Sequence, residues 1–312
     1  MSDNQFGTDG HLRHLLTLAE FPRKTITGIL DRAEQFQFQL GQANPQYDLL
    51  AGTTVINLFF EPSTRTRTSF ELAARRLGAQ VVTLDMAFSS TTKGESLVDT
   101  LYTLESMNTQ LFVVRHPAAG VLEEMARHAL PHVHIVNAGE AHISHPTQGL
   151  LDVLTIRRHK NNLENLSVAI VGDIRHSRVA RSALHALTAM GTRDIRLAGP
   201  SEFLPNDLPG EKFTNLDKAL EDADVIMMLR IQKERMQTDL IPDQHEYTRR
   251  YGLNNTRLKL AKTDALVMHP GPMNRGVEIT SEIADGPRSV IREQVTNGVA
   301  VRMAVMAELM GK

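Results

Sequence analysis

The sequence predicts an α/β protein of two domains, each a mostly parallel sheet with helices on both faces. The length of 312 residues corresponds to about two domains. Hydrophobic residues make up 41% and charged residues 22% of the chain, which is ordinary for a protein with packed cores. Short apolar, strand-like runs alternate with amphipathic runs, as in parallel sheets whose strands are joined by helices. The domain boundary is expected between residues 142 and 155.

The first half begins with a polar segment, Met1 to Gly10, which is expected to be disordered or loosely packed. An amphipathic helix is predicted from Pro22 to about Gly41, because apolar residues from Ile26 to Leu40 recur at helical spacing. Strands and helices then alternate. The strands are predicted at residues 53–60, 80–84, 110–115 and 132–136, and the helices at residues 70–77, 95–107 and 121–128.

The second half begins with a predicted helix from Thr147 to about Lys160. A long terminal helix is predicted over residues 287–310, because apolar residues between Ile291 and Leu309 recur at spacings of three and four. The remaining elements of this half follow from shorter apolar runs. The strands are predicted at residues 167–173, 195–198, 223–229 and 265–268, and the helices at residues 177–190 and 216–221.

One stretch of the first half, residues 59–70, has the composition of an anion site. Glu61-Pro62 ends the strand, and Ser63 or Thr64 is a plausible N-cap of the following helix. Hydroxyl groups and two guanidinium groups are concentrated between residues 63 and 69, where the positive end of the helix dipole would point at a ligand. Both kinds of group donate to phosphate oxygens. The alternative is a well-capped surface helix whose arginines face solvent.

Ligands of open parallel sheets bind outside the carboxyl ends of the strands, so the polar residues that follow each predicted strand are candidates for a site. These residues lack metal-ligand spacing, and we expect no metal site. The chain has no P-loop motif, and the strand ending at Asp173 is not followed by the glycines of a dinucleotide fold, so no cofactor is expected. The candidates are residues 63–67, 89–93, 115, 145–148, 173–178, 230–232 and 269–272.

Composition excludes several classes of protein. A formal net charge of -2 argues against a nucleic-acid-binding protein, which would need a basic face. No apolar run approaches the roughly 18 residues needed to cross a membrane, and Met1 to Gly10 lacks the pattern of a signal peptide. The absence of cysteine excludes disulfides and thiolate chemistry. The expected location is cytoplasmic, without nucleic-acid or membrane partners.

Three of the candidate segments resemble the signatures of the carbamoyltransferase family. Residues 63–67 (Ser-Thr-Arg-Thr-Arg) resemble its carbamoyl-phosphate motif, and residues 145–148 (His-Pro-Thr-Gln) and 269–272 (His-Pro-Gly-Pro) resemble two further signatures. The resemblance extends from about His11 to Leu309, with the motifs in the expected order. Within the family, the aspartate-specific branch is the closer match. This branch acts in pyrimidine biosynthesis.

The resemblance implies a division of labour along the chain. Residues 1–146 would bind carbamoyl phosphate, residues 147–292 would bind aspartate, and residues 293–312 would form a helix that returns to the first domain. Arg115 would bridge the phosphate and the carbonyl oxygen of the substrate. The residues that would hold the phosphate are Ser63, Thr64, Arg65 and Thr66. Those that would contact the carbamoyl group are Thr66, His145, Gln148, Gly271 and Pro272.

The resemblance assigns the acceptor half to Arg178, Arg230 and Gln232, which would bind the two carboxylates of aspartate. Two guanidinium groups suit a dicarboxylate, and the chain lacks the His-Cys-Leu-Pro segment of the ornithine enzymes. An acceptor such as ornithine or an acylated ornithine is the alternative within the family. Taken alone, Arg178 could equally be a solvated helix residue, and His145 a core histidine.

In this family, the loop that corresponds to residues 89–93 reaches into the site of a neighbouring subunit. The resemblance therefore implies a homotrimer in which Ser89 and Lys93 contact the substrate of the next chain, and it implies closure of the two domains over the substrates. Regulatory or dihydroorotase-like chains could complete a dodecamer. A catalytically silent homologue that acts as a scaffold is the remaining alternative, and it would require that active-site residues be missing.

Overall fold

The computed structural model describes residues 4–38, 40, 42–85, 94–232 and 243–312. Within these residues the fold is α/β, with parallel strands in two separate sheets and helices between the strands. The chain divides into two compact units. The first unit comprises Met1–Leu151 and Thr296–Lys312, and the second comprises Asp152–Val295. The predicted fold class is confirmed.

The first unit contains a four-stranded sheet in the order β2-β1-β3-β4. Every pairing in it is parallel, and β1 lies in the middle beside β2 and β3. The central strands are almost completely buried because helices cover them. The strands are β1 (Thr54–Phe59), β2 (Gln80–Asp85), β3 (Leu111–His116) and β4 (His134–Glu140).

Helices surround this sheet. Leu101 of α3 and Met125 of α4 share a buried apolar cluster with Ile56 and Phe112 of the strands. The guanidinium of Arg302, on the C-terminal helix α11, lies 4.8 Å from the ring centre of Phe70 on α2, so that helix packs on the first unit. The helices are α1 (Arg23–Gln35), α2 (Thr64–Arg76), α3 (Leu97–Glu105), α4 (Val121–His128), α5 (Pro146–His159), whose second half belongs to the second unit, and α11 (Ile291–Leu309).

Of the segment predicted to be a loose tail, the structure describes residues 4–10, and the packing of Gln5 corrects the prediction for that part. Gln5 is fully buried, and its side-chain oxygen accepts hydrogen bonds from the backbone N–H groups of Leu16 (2.7 Å) and Thr17 (2.8 Å). Leu15 forms a parallel bridge with Val136 of β4, which covers that edge of the sheet. The Gln5 side chain is held in place because its buried amide oxygen satisfies two backbone donors that would otherwise be unpaired.

The second unit contains a five-stranded parallel sheet in the order β7-β6-β5-β8-β9. The inner strand β8 is apolar throughout and β5 is apolar after Ser167, as expected where helices cover both faces of a sheet. The strands are β5 (Ser167–Val171), β6 (Asp194–Ala198), β7 (Glu211–Phe213), β8 (Val225–Met228) and β9 (Leu266–Met268). The helices are α6 (Arg178–Ala189), α7 (Leu216–Leu220), α8 (Gln244–Tyr251), α9 (Asn255–Leu258) and α10 (Ser281–Ala284).

Several predicted elements differ from the structure. The first helix ends at Gln35 instead of near Gly41, and Leu40 is 77% exposed instead of packing on a helix face. The structure also contains β7 and the short helices α8, α9 and α10, which the sequence pattern did not indicate. None of the helices in the described parts of the chain is long and apolar enough to cross a membrane.

Candidate functional site

In the first unit, the carboxyl ends of β1 and β3 lie side by side. Phe59 pairs with Arg115 in the sheet register, and the N–H of Phe60 donates to the carbonyl oxygen of Arg115 at 2.9 Å. Since parallel strands end at the same edge of a sheet, the segment after Phe60 and the side chain of Arg115 start from neighbouring backbone positions. The sheet thus brings together two of the predicted segments.

The segment after β1 leads into the N-terminus of α2, with Ser63 at the N-cap position. Ser63 is thus the N-cap residue, as predicted, but its side chain makes no capping hydrogen bond, so capping does not account for this hydroxyl. Thr64 and Arg65 are exposed, whereas Thr66 is 8% exposed and lies against the protein. The first backbone N–H groups of a helix carry partial positive charge, so this turn combines N–H groups, hydroxyls and a guanidinium suited to an anion.

Arg115 is held in place from two sides. Its Nε lies 3.1 Å from Oε2 of Glu61, and its Nη1 donates to the carbonyl oxygen of Ala138 at 3.4 Å. The side chain is 13% exposed. A partly buried guanidinium that is fixed by a carboxylate and a carbonyl has a defined direction, as needed for a group that is to meet a developing negative charge. Sequence reasoning did not assign Glu61 this role.

His145 and Gln148 lie where β4 leads into α5. Both are buried, and the backbone N–H of Gln148 donates to the carbonyl oxygen of His145 at 2.9 Å. The hydroxyl of Ser144 bonds to the carbonyl oxygen of Leu16 at 3.1 Å, which fixes the chain just before His145. The predicted pair therefore sits in one turn at the start of a helix, on an anchored backbone.

A buried acid and a histidine lie near the same edge of this sheet. Glu140, the last residue of β4, accepts from the N–H of Leu122 at 3.2 Å, at the N-terminus of α4. Burial raises the pKa of the Glu140 carboxyl above its usual value. Burial also lowers the pKa of His116, whose Nδ1 accepts from the N–H of Ala118 at 3.0 Å. A neutral His116 leaves Arg115 as the cation at the end of β3.

In the second unit, the carboxylate of Asp173 connects two of the predicted segments. Asp173 follows β5 and is fully buried. Its Oδ2 accepts from the N–H of Gln232 at 3.1 Å, and its Oδ1 lies 2.9 Å from Nδ1 of His176. Desolvation by burial raises the pKa of Asp173, partly opposed by His176. The carboxylate thus ties the segment after β8 to the segment after β5.

Arg178, the first residue of α6, is only 4% exposed, so it is not the solvated helix residue that was the alternative interpretation. The N-cap of this helix is Ser177, whose hydroxyl accepts from the N–H of Ala180 at 3.2 Å. Arg230 and Gln232 lie together after β8, where Nη2 of Arg230 is 3.4 Å from Oε1 of Gln232. A buried arginine is costly unless it is paired, which favours a functional or structural role for Arg178 over a merely solvating one.

The segment after β9 carries the third signature. Gly271 has a φ of 68°, a conformation that favours glycine, and the Gly271-Pro272 peptide bond is cis. The imidazole of His269 is fully buried, with Nε2 3.1 Å from Oε1 of Glu278 and Nδ1 accepting from the N–H of Gly271 at 2.8 Å. Glu278 was not a candidate at the sequence level, because it does not follow a strand.

Two predicted contact residues, Ser89 and Lys93, lie outside the described residues, as do residues 233–242. Among the residues that the structure does describe, no group of three or more histidine and acidic side chains could hold a metal ion. The described candidates therefore form two sets, one per unit. The first set is Ser63, Thr64, Arg65, Thr66, Arg115, His145 and Gln148, and the second is Arg178, Arg230, Gln232, Gly271 and Pro272.

Both halves of the chain match models of one protein family. Residues 13–158 match the carbamoyl-P binding domain of aspartate/ornithine carbamoyltransferase, and residues 164–309 match its Asp/Orn binding domain. Together the two matches cover nearly the whole chain.

Solved structures of both acceptor types are similar to this chain. Ornithine carbamoyltransferase from Pyrococcus furiosus has 30% sequence identity and a TM-score of 0.84, over 96% of this chain and 97% of that one. Aspartate transcarbamoylase from Trypanosoma cruzi, in complex with N-(phosphonacetyl)-L-aspartic acid, has 30% identity and a TM-score of 0.85, over 96% of each chain. Ornithine carbamoyltransferase from Thermus thermophilus has 27% identity and a TM-score of 0.82, over 96% of this chain and 99% of that one. The chain belongs to the aspartate/ornithine carbamoyltransferase family.

Proposed function

We propose that the protein is an aspartate carbamoyltransferase. It transfers the carbamoyl group of carbamoyl phosphate to the amino group of L-aspartate, giving N-carbamoyl-L-aspartate and phosphate, in de novo pyrimidine biosynthesis. The observation that carries the choice of acceptor is the pair of guanidinium groups in the second unit, those of the buried Arg178 and of Arg230, with the neutral amide of Gln232 beside Arg230. Overall similarity does not separate the acceptors, because aspartate and ornithine enzymes match this chain at equal identity.

The first unit supplies the groups for carbamoyl phosphate. The N-terminus of α2 presents the hydroxyls of Ser63 and Thr64 and the guanidinium of Arg65 to the phosphate. Arg115, directed by Glu61, bridges the phosphate and the carbonyl oxygen. Thr66 and His145 donate to the same oxygen, where negative charge develops during attack. Gln148 accepts from the carbamoyl NH2.

The second unit supplies the groups for the acceptor. Aspartate carries two carboxylates, and each arginine offers a planar fork of donors that matches one of them. Ornithine would need an anionic partner for its side-chain ammonium. The carboxylate of Asp173, at this end of the sheet, already accepts from the N–H of Gln232 and faces His176 at 2.9 Å. The charges at this edge therefore favour a dicarboxylate.

The reaction needs a neutral attacking amine. The lone pair of the aspartate nitrogen forms the new C–N bond, and the negative charge moves to the carbonyl oxygen in the tetrahedral intermediate. When that intermediate collapses, the C–O bond to phosphate breaks, and the departing phosphate takes the proton from the nitrogen. The protein binds and orients the two substrates and stabilises the oxyanion, and no side chain acts as a general base.

The proposal includes a cytoplasmic homotrimer with shared sites, in which Ser89 and Lys93 of one chain serve the next, with regulatory or dihydroorotase-like chains as further partners. Its support is the match of the residues around Lys93 to the family pattern. Mixing inactive Lys93→Ala chains with inactive Arg65→Ala chains should restore partial activity, because some sites then receive an intact residue from each chain. Mixed trimers that form but stay inactive would refute the shared site.

One assay tests the choice of acceptor. The protein is incubated with carbamoyl phosphate and, in parallel, with L-aspartate, L-ornithine or N-acetyl-L-ornithine, and the carbamoylated product is measured. We expect turnover with aspartate only. Turnover with an ornithine compound in place of aspartate would reassign the acceptor, and absence of turnover with every amine would indicate the silent homologue.

A further inference from the structure

In the proposed function, the backbone carbonyl of Pro272 is a second acceptor, beside Gln148, for the carbamoyl NH2. The segment that carries it, from His269 to Asn274, lies in a loop without helix or strand. A loop of this kind keeps a carbonyl in a fixed direction only if other groups hold its backbone. Buried side chains of the second unit hold this backbone at three points along six residues.

The first point is the backbone of His269. Its N–H donates to Oε1 of Gln294 at 2.9 Å, and Nε2 of Gln294 donates to Oδ1 of Asp152 at 2.8 Å. All three residues are buried. The amide of Gln294 is therefore oriented by a carboxylate, and it fixes the start of the loop.

The other two points depend on Glu278, which is fully buried. Its Oε1 accepts from the N–H of Asn274 at 2.6 Å and lies 3.1 Å from Nε2 of His269. Since Nδ1 of His269 accepts from the N–H of Gly271, the proton of a neutral imidazole must be on Nε2, from which it is donated to Glu278. One carboxylate thus sets the tautomer of His269 and fixes Asn274 directly.

We infer that Glu278 is a positioning residue for carbamoyl transfer. Through His269 at Gly271, and directly at Asn274, it fixes the backbone on both sides of Pro272 and so holds the Pro272 carbonyl, the proposed acceptor for the carbamoyl NH2, in one direction within the second unit. This inference rests on the proposed function. Glu278 would contribute to catalysis by keeping the Pro272 carbonyl in place, because a displacement of about 1 Å of a group that positions substrate costs on the order of 10²-fold in rate.

A matched control is available in the same unit. Asp224 is also a buried carboxylate, with Nζ of Lys262 at 2.9 Å from each oxygen and the N–H of Ser167 at 3.0 Å from Oδ2. It immediately precedes β8, at the opposite ends of the strands from His269. Asp224→Ala therefore removes a similar buried anchor without touching the loop.

The first arm of the test measures the loop itself. Amide hydrogen exchange of the peptide covering residues 269–277 is compared in the wild type, Glu278→Ala, Glu278→Gln and Asp224→Ala. We expect exchange at Gly271 and Asn274 to accelerate in Glu278→Ala only, since glutamine keeps an acceptor oxygen. Unchanged exchange in Glu278→Ala overturns the positioning role, whether or not the protein carbamoylates aspartate.

The second arm measures kinetics with carbamoyl phosphate and aspartate. We expect kcat of Glu278→Ala to fall by about 10²-fold, Glu278→Gln to recover most of it, and Asp224→Ala to keep the wild-type value. The inhibition constant of inorganic phosphate should not change, because the residues proposed to bind phosphate belong to the first unit. An unchanged kcat in Glu278→Ala, or an equal loss in Asp224→Ala, contradicts the inference. Failure of the wild type to carbamoylate any amine contradicts the proposed function instead.

Discussion

The two units hold the polar groups at their strand ends in different ways. In the first unit, Thr64 and Arg65 are exposed at the start of α2, whereas Thr66, His145 and Gln148 are buried and Arg115 is partly buried. In the second unit, Asp173 and Arg178 are buried. Exposed groups at a helix N-terminus can be removed without disturbing a core, whereas removal of a buried charge changes the free energy of unfolding. Ligand binding and stability should therefore be separable at the N-terminus of α2 in the first unit, and coupled at Asp173 and Arg178 in the second.

The largest expected effect is that of Arg65→Ala. Loss of this guanidinium should lower kcat/KM for carbamoyl phosphate by about 10³-fold, as for removal of a preorganised electrostatic group. The melting temperature should not change, because Arg65 is exposed. Steady-state kinetics and a thermal melt by circular dichroism give both values. A fall in melting temperature comparable to that of a core substitution would show that binding and stability are not separable at the N-terminus of α2.

Arg178→Ala should affect both properties. In the proposed function Arg178 makes two charge-assisted hydrogen bonds to a carboxylate of aspartate, and their loss should raise the KM for aspartate by about 10²-fold. The melting temperature should also fall, because the side chain is buried at the start of α6. Arg181→Ala is the matched control, since Arg181 lies on the same helix and pairs with an exposed carboxylate, Asp207. A raised KM with an unchanged melt would show that binding and stability are separable here too.

The third prediction concerns pH. Burial raises the pKa of Asp173, so the folded protein binds more protons at this group than the unfolded chain does between the usual value of about 4 and the raised pKa. The contribution of Asp173 to the free energy of unfolding should therefore fall as the pH rises through that range and stay constant above it.

Urea unfolding of the wild type and of Asp173→Asn at a series of pH values measures this contribution. The free energy of unfolding of the wild type minus that of the variant should decrease with rising pH. Differences that grow with pH would mean that the hydrogen bonds from Gln232 and His176 outweigh the cost of burial.

The smallest effect is expected for Arg75→Ala, also on α2. Arg75 forms an exposed ion pair with Glu71 at 3.1 Å, one helical turn away. Pairs of this kind contribute about 0.3–0.5 kcal/mol, and kinetics should match the wild type. Urea unfolding measures the contribution of this ion pair to stability. A loss of activity would show that residues of α2 beyond its first turn also contribute to activity.

The alternation of elements could be predicted from the sequence because their apolar patterns are strong. α4 begins and ends at the predicted residues, 121 and 128. The pattern fails where tertiary contacts decide. β7 is only three residues long and mostly exposed, and α8 buries just Tyr247 and Tyr251 among polar residues, so neither has a periodic apolar signal.

The same distinction applies to the candidate site. The rule that ligands lie past strand ends selected Arg115, His145 and Arg178 from the sequence. Glu61 lies just after β1, but its partner Arg115 lies 54 positions away and is set by the folded chain, so the role of Glu61 could not be predicted. The rule could not select Glu278, which follows no strand and whose partner His269 lies nine positions away. Burial of Gln5 was missed for the same reason, since a polar residue near a terminus gives no sign of the backbone groups that it will satisfy.

The second unit is inserted within the first. The chain leaves the first unit within α5 and returns to it within α11, so both crossings lie inside helices. The returning residues include Ala300, Met303 and Met306, all fully buried. Because synthesis proceeds from the N-terminus, the whole second unit is made before the first unit receives this part of its core. The first unit is therefore begun first and completed last.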